Sequence, residues 1–271
     1  TPPELSRNSI LVCIAFTAAA LWGLIVWCNA MGFSDGADFV SFYTAGRIVG
    51  DGAAAKLYDT DVQLAYQHQI FSRANLLPYY HPAYETLLFV PLALLSYSGA
   101  YVVWAGINVA MMMALPFLLR PFVRAPRNLL GLALLCFLFL PLWIALLQGQ
   151  DSILLLLLLT LSFRSLSRGG DFLAGLCIGL SMFKFQFALP LLVVLLGYRS
   201  LRLVGGAVAG GLSSVLASFA ITGVPGQLSF VRLLLSTNNN LAFATIDPEI
   251  MPNVRGFLST LLGESMSPGT L

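Results

Sequence analysis

Apolar residues gather along this chain in long runs separated by short polar segments, and the length of each run decides what it can form. The first, 9–30, holds 22 residues without a charge. Crossing a hydrocarbon core of about 30 Å takes roughly 20 helical residues at about 1.5 Å each, so this run predicts a membrane-crossing helix. It is long enough to span and shows no small-residue cleavage site, so it reads as a retained helix and not as a signal peptide. Further apolar runs cover 85–97, 100–119, 129–147, 153–166, 172–183, 185–198 and 203–222, with a weaker one at 228–235. Several are too short to cross alone. The 172–183 run reaches only about 18 Å as a helix, and Pro91 interrupts the 85–97 run. Inside a bilayer the free backbone groups of broken helices are tolerated only against protein or a water-filled cavity, so the pattern predicts re-entrant pieces around a cavity. The two runs between 85 and 119 are expected to cross once between them, with one lying shallow.

Between the first helix and residue 85 the pattern changes. In "GADFVSFYTAGRIVGDGAAAKLYD" (36–59), Phe39, Phe42, Tyr43 and Gly46 recur at helical spacing, which predicts a short amphipathic helix starting near Asp38 and lying in the membrane interface. "DVQLAYQHQIF" predicts a second surface helix. Composition sets the solvent for all of this: 58% of the residues are hydrophobic, 10% are charged and the mean hydropathy is +0.85, against about 25% charged in soluble domains. The fold class expected is all-α, a polytopic membrane helical bundle forming a single transmembrane domain over 1–271. The net charge of +2, spread over short loops, gives no footprint for nucleic acid. Arg120, Arg124 and Arg127, Arg164 and Arg168, and Arg199 and Arg202 form clusters that should face the cytoplasm. That places the 31–84 loop, "QGQD" (148–151) and the Lys184 region together on the opposite face. Cys13, Cys28, Cys136 and Cys177 have neither disulfide nor metal spacing. P-loop, GxGxxG, HExxH and GxSxG motifs are absent from the sequence, so soluble nucleotide chemistry has no visible cradle; the sequence requires no metal, and no cofactor is expected.

The chemistry-bearing residues each have a plain alternative. Asp38 either caps the helix it precedes or accepts a proton from a substrate hydroxyl, and the two roles are compatible. His81, in "PYYHPAYE", either serves packing or donates to a phosphate. In "QGQDS", Gln148, Gln150 and Asp151 suit a hydroxyl-rich ligand, while helix capping is the simpler role for Asp151 and the one favoured for Ser152. Lys184, in "SMFKFQFALP", is the strongest signal. An ammonium costs roughly 2.5–3.5 kcal/mol at mid-bilayer, so it either snorkels to the surface or meets an anion in an aqueous cavity, and the anion is preferred. Arg255, in "MPNVRG", is a second candidate for that anion.

In this order, "DFVSFYTAGRIVGDGAAAKLYD", "YHPAYETLLFVPLALLSY", "QGQDSILLLLLLTLS", "FLAGLCIGLSMFKFQFALPLLVVLL" and "MPNVRG" resemble glycosyltransferase family 87, the polyprenol-phosphate-mannose-dependent mannosyltransferases of the GT-C membrane fold. The resemblance implies a GT-C-like bundle with interfacial helices in the first non-cytoplasmic loop. It further implies a polyprenyl-phosphate-linked sugar donor, mannose above all, and a glycan or glycolipid acceptor at the outer face of a bilayer, here read as a bacterial plasma membrane. Transfer would be inverting, with Asp38 as general base. Lys184, Arg255 and His81 would hold the donor phosphate, and Tyr43, Arg47, Gln148, Gln150 and Asn239 the substrates. The chain shows fewer apolar runs than that family usually has, so C-terminal helices of a longer protein are expected beyond it. The alternative is a lipid or polyol transporter or flippase, since broken helices and an intramembrane lysine also mark transport sites, although no repeated halves are visible. A noncatalytic scaffold is the third reading.

Overall fold

The computed structural model describes residues 7–32, 37–72, 76–122, 131–133, 138–197 and 200–236. Among these residues the chain is helical and contains no strand. In chain order the helices are α1 (Arg7–Ala30), α2 (Phe39–Gly50), α3 (Thr60–His68), α4 (Thr86–Phe89), α5 (Tyr97–Leu119), α6 (Leu140–Leu147), α7 (Ser152–Leu166), α8 (Asp171–Leu180), α9 (Phe185–Leu196) and α10 (Leu201–Ser236), joined in places by short 3-10 turns.

Three stretches are long and apolar enough to cross a membrane: Tyr97–Phe122, Asp171–Leu195 and Leu201–Leu235. Their outward surfaces carry exposed side chains such as Val194 at 72% and Leu201 at 87%, costly against water and free of that cost against lipid. The second stretch is not one straight rod. The Ser200 hydroxyl donates to Asp171 Oδ2, so the chain returns to where α8 began, and α8 and α9 form a hairpin. Its turn is the 3-10 segment Ser181–Lys184, where Lys184 leaves helical geometry at φ −116, ψ 65. α8 and α10 then rise in parallel from the same end. A Cβ on Gly206 would fall on the Phe172 carbonyl, and one on Gly210 would come within 2.7 Å of the Leu176 carbonyl, so the two backbones touch with no side chain between them. Small residues permit such approach where lipid supplies no hydrophobic drive.

The remaining elements are arranged about the hairpin's tip. α1 and α5 run antiparallel, tied by Trp22 to the Val102 carbonyl at 3.4 Å and by Asn29 to Ser98. The Arg164 guanidinium donates to the Leu118 carbonyl at 3.3 Å, which puts Arg120, Arg164 and Arg168 at the end of the bundle opposite Lys184. The 85–97 run forms no crossing helix: α4 ends at Phe89, two residues before Pro91, and the 3-10 turn Leu92–Leu94 follows. α2 departs from expectation. It is buried along nearly its whole length, Phe39, Phe42 and Ile48 included, because the chain folds over both of its faces. Gly46 sits so close to Phe89 that a Cβ would come within 2.7 Å of that backbone.

Candidate active site

The tight turn between α6 and α7 brings two distant parts of the chain together. Gly149 takes φ +63, a conformation L side chains rarely adopt, and a Cβ there would also strike Phe39 at 2.7 Å. Trp104 Nε1 donates to the Gly149 carbonyl at 2.8 Å and the Tyr101 hydroxyl to the Leu147 carbonyl at 2.6 Å, which fixes the turn on α5. In return the turn holds the start of α2. The Gln148 side chain accepts from the Asp38 backbone N–H at 3.1 Å, and its carbonyl accepts from the Phe39 N–H at 3.0 Å.

Asp38 stands at the N-cap of α2, yet its carboxylate makes no capping hydrogen bond. It accepts instead from the Gln150 amide, whose oxygen accepts from the Ser152 hydroxyl at 3.1 Å. Ser152 in turn accepts from Lys184 Nζ at 2.6 Å. A chain of donors therefore runs from the ammonium to the carboxylate. The capping roles expected at the start of α7 are not taken up: Asp151 is the N-cap residue but makes no side-chain cap bond, and Ser152 is occupied by Lys184 and Gln150. A nearby ammonium competes better for these oxygens than a backbone N–H does.

Behind this chain lies a group of buried charges. Asp151 Oδ1 is 2.6 Å from Lys184 Nζ, and Asp151 Oδ2 is 3.4 Å from His81 Nδ1. His81 Nδ1 is also 2.8 Å from Glu85 Oε2, one helical turn on. Both carboxylate side chains are fully buried. Neither Asp151 oxygen has a well-aligned hydrogen-bond donor, so it is compensated through ion-pair proximity. The Tyr58 hydroxyl donates to the His81 carbonyl at 3.0 Å, and the Tyr79 hydroxyl lies 3.3 Å from Glu85. Burial pushes the His81 imidazolium down, but Glu85 and Asp151 outweigh it and hold the group up at about 10. Burial raises Glu85 to about 7 against the pull of His81. Burial also raises Asp151, but His81 and Lys184 overcome this and leave it below the usual carboxylate range.

Asp38, His81, Gln150, Asp151 and Lys184 line one cavity of about 210 Å³, with Ser41, Phe42 and Tyr80 among its walls. His81, Glu85 and Asp151 present ligand atoms within 4.8 Å of one another, a spacing a metal ion spans. In this structure these atoms form ion pairs, His81 Nδ1 with Glu85 Oε2 and Asp151 Oδ2 and Lys184 Nζ with Asp151 Oδ1, while Glu85 Oε1 has no hydrogen-bond partner.

Of the residues singled out from sequence, Asp38, His81, Gln150 and Lys184 thus meet in one place. Gln148 is adjacent, but its amide oxygen holds Asp38's backbone. Tyr43 and Arg47 line a different cavity of about 340 Å³ with Tyr66, Gln69 and Tyr97, on the far face of α2 at the helical spacing of about 100° per residue. The Tyr43 hydroxyl is committed to the Leu95 carbonyl at 2.7 Å. Arg255 and Asn239 lie outside the described residues. Glu85 was missed by sequence reasoning, although its position four residues after His81 was a readable signal.

The family model described as Glycosyltransferase family 87 matches residues 79–269. No curated protein and no solved structure matches the chain.

Proposed function

The chain belongs to glycosyltransferase family 87, and from that premise we propose that its cavity transfers a sugar, mannose in our reading, from a polyprenyl-phosphate donor to a hydroxyl of a glycan or glycolipid acceptor. The observation that supports this most is the shared lining: Asp38, His81 and Lys184 face a single space of about 210 Å³, with Asp151 in its wall between the two cations. Asp38 accepts the acceptor's proton while the hydroxyl oxygen attacks the anomeric carbon. The bond from that carbon to the phosphate oxygen breaks, its electron pair leaves with the phosphate, and Lys184 and His81 stabilise the charge that develops there. A single displacement of this kind inverts the anomeric centre. Gln150 orients Asp38 through its amide. No metal is needed in this scheme, because the ammonium and the imidazolium perform the neutralisation.

The arginine-rich end is assigned to the cytoplasm by the positive-inside bias, which leaves the cavity at the non-cytoplasmic side of a bacterial plasma membrane. The test uses purified protein in detergent with radiolabelled polyprenyl-phosphate-mannose and a lipid-linked glycan acceptor. Wild type should form product, and Asp38→Asn should lose roughly 10²–10⁴-fold in rate while still binding donor. Equal product from both would remove the base assignment. Uptake of substrate into vesicles without sugar transfer would favour a transporter.

A further inference from the structure

Glu85 and Asp151 have no part in the transfer as described, yet they are the two fully buried carboxylates of the site. Lys184 needs only one anion for compensation, and Asp151 Oδ1 at 2.6 Å supplies it. A buried histidine needs none, because it can shed its proton. Here instead one ring nitrogen of His81 is held between two carboxylates, at 2.8 Å and 3.4 Å. That leaves Nε2 as the remaining donor of a side chain that lines the cavity.

Resting on the donor-phosphate reading, we propose that Glu85 and Asp151 are positioning residues: Glu85 keeps His81 doubly protonated, and Asp151 bridges it to Lys184, so that two fixed cations meet one phosphodiester. Both are fully buried and spend their negative charge on the imidazolium and the ammonium, Glu85 from off the cavity lining and Asp151 from the wall between the two cations. The groups facing His81 are Glu85 from its own turn, Asp151 from the α6–α7 turn with Lys184 behind it, Tyr79 and Tyr58 from the loop elements, and Asp38 across the cavity. The elevated position of His81, about 10, agrees with this geometry.

The sign follows directly. A histidine held up near 10 stays charged across the neutral range, so wild type should still bind a phosphodiester at about pH 8.5, with only a modest fall as Glu85, held up to about 7, ionises beside it. Removing the Glu85 charge lowers that position, so the cation should be lost as pH rises and recovered as it falls. The probe is farnesyl methyl phosphate, a diester whose single charge does not titrate in this range, with binding measured calorimetrically in detergent from about pH 6 to about pH 9. Glu85→Gln should match wild type within a few-fold near pH 6 and fall by about tenfold or more below it by pH 9, and Glu85→Asp should restore much of the wild-type profile. A Glu85→Gln profile parallel to wild type would overturn the proposal.

If Glu85→Gln does not fold, the wild-type background decides. The chain has two histidines, and His68→Gln leaves His81 as the sole histidine signal in nitrogen-15 NMR. An imidazolium persisting through about pH 8.5 supports the assignment, and a neutral ring at pH 7 sinks it. Failure of wild type to bind the diester at any pH would remove the donor-phosphate reading and this inference together. Product formation that depends on Asp38, combined with an unshifted Glu85→Gln binding profile, would leave the transfer standing and remove this inference alone.

Discussion

The base and the tip of the α8–α9 hairpin bury themselves by opposite means. At the base, α8 lies against α10 with glycine facing backbone, so that Gly175, Gly179, Gly206 and Gly210 leave no room for a side chain. At the tip, Lys184 is enclosed by side chains alone: Asp151, Ser152 and, one residue removed, His81 and Gln150. The glycine seam is specified by shape and carries no charge of its own. The tip is specified by charge, and its side chains leave a cavity. The contrast divides labour along one hairpin: the seam sets where Lys184 stands, and the ion pairs set what it does there.

The sharpest way to break that division is at the seam. A Cβ on Gly206 meets the Phe172 carbonyl with no flexible atom to yield, so Gly206→Leu should abolish folded protein, read as loss of a monodisperse peak in detergent. Gly205 and Gly211 sit on the same helix with nothing within 4 Å of an added Cβ, so Gly205→Ala and Gly211→Ala should be well tolerated. If Gly206→Leu purifies and binds donor like wild type, shape at the seam does not govern the tip.

The next largest effect belongs to the tip. Lys184→Met leaves Asp151 buried without its nearest cation, and breaking one partner of a buried pair costs about 3–5 kcal/mol. The double variant Lys184→Met/Asp151→Asn removes both charges and should recover much of the thermal stability without recovering donor binding. Recovery of both would make the pair structural. A single variant as stable as wild type would mean that Lys184 is not coupled to Asp151.

The same two regions differ in how far they could be read from sequence. Lys184 stood out because an ammonium among apolar residues needs a partner, and Asp38 and His81 because their residue types and neighbours suggested chemistry; all three reach one cavity. The seam was not legible. Against lipid an apolar helix face gains little by choosing protein, so the 203–222 run carries no hydrophobic stripe saying which side meets α8. The reversal at Lys184 was legible, since the short 172–183 and 185–198 runs are flanked by arginine pairs that place Lys184 on the opposite face, but composition does not record that Ser200 returns to Asp171. The burial of α2 was hidden for a related reason: Phe39, Phe42, Tyr43 and Gly46 mark one face, but Ser41, Thr44, Ala45 and Ile48 opposite them are buried as well, under elements distant in sequence. Glu85 was passed over because a carboxylate beside a membrane run looks solvated until its histidine partner is placed over it.

A smaller effect distinguishes orienting the base from holding the sugar. Both polar ends of the Gln150 side chain are already engaged, the amide nitrogen by Asp38 and the oxygen by Ser152, so little is left with which to bind a hydroxyl-rich ligand. Gln150→Ala should therefore lower kcat by about tenfold, the value of one orienting hydrogen bond of about 1–1.5 kcal/mol, while the KM for donor and for acceptor stays within about twofold. A residue that gripped substrate equally in the ground and transition states would instead raise KM at constant kcat. Gln148→Ala gives the matching control: its oxygen serves the Asp38 backbone, so it should affect stability as well as kcat, whereas Gln150→Ala should leave thermal stability nearly unchanged because its partners can reach the water of the cavity. An increase in acceptor KM for Gln150→Ala would return that amide to the substrate and leave Asp38 held by the turn alone.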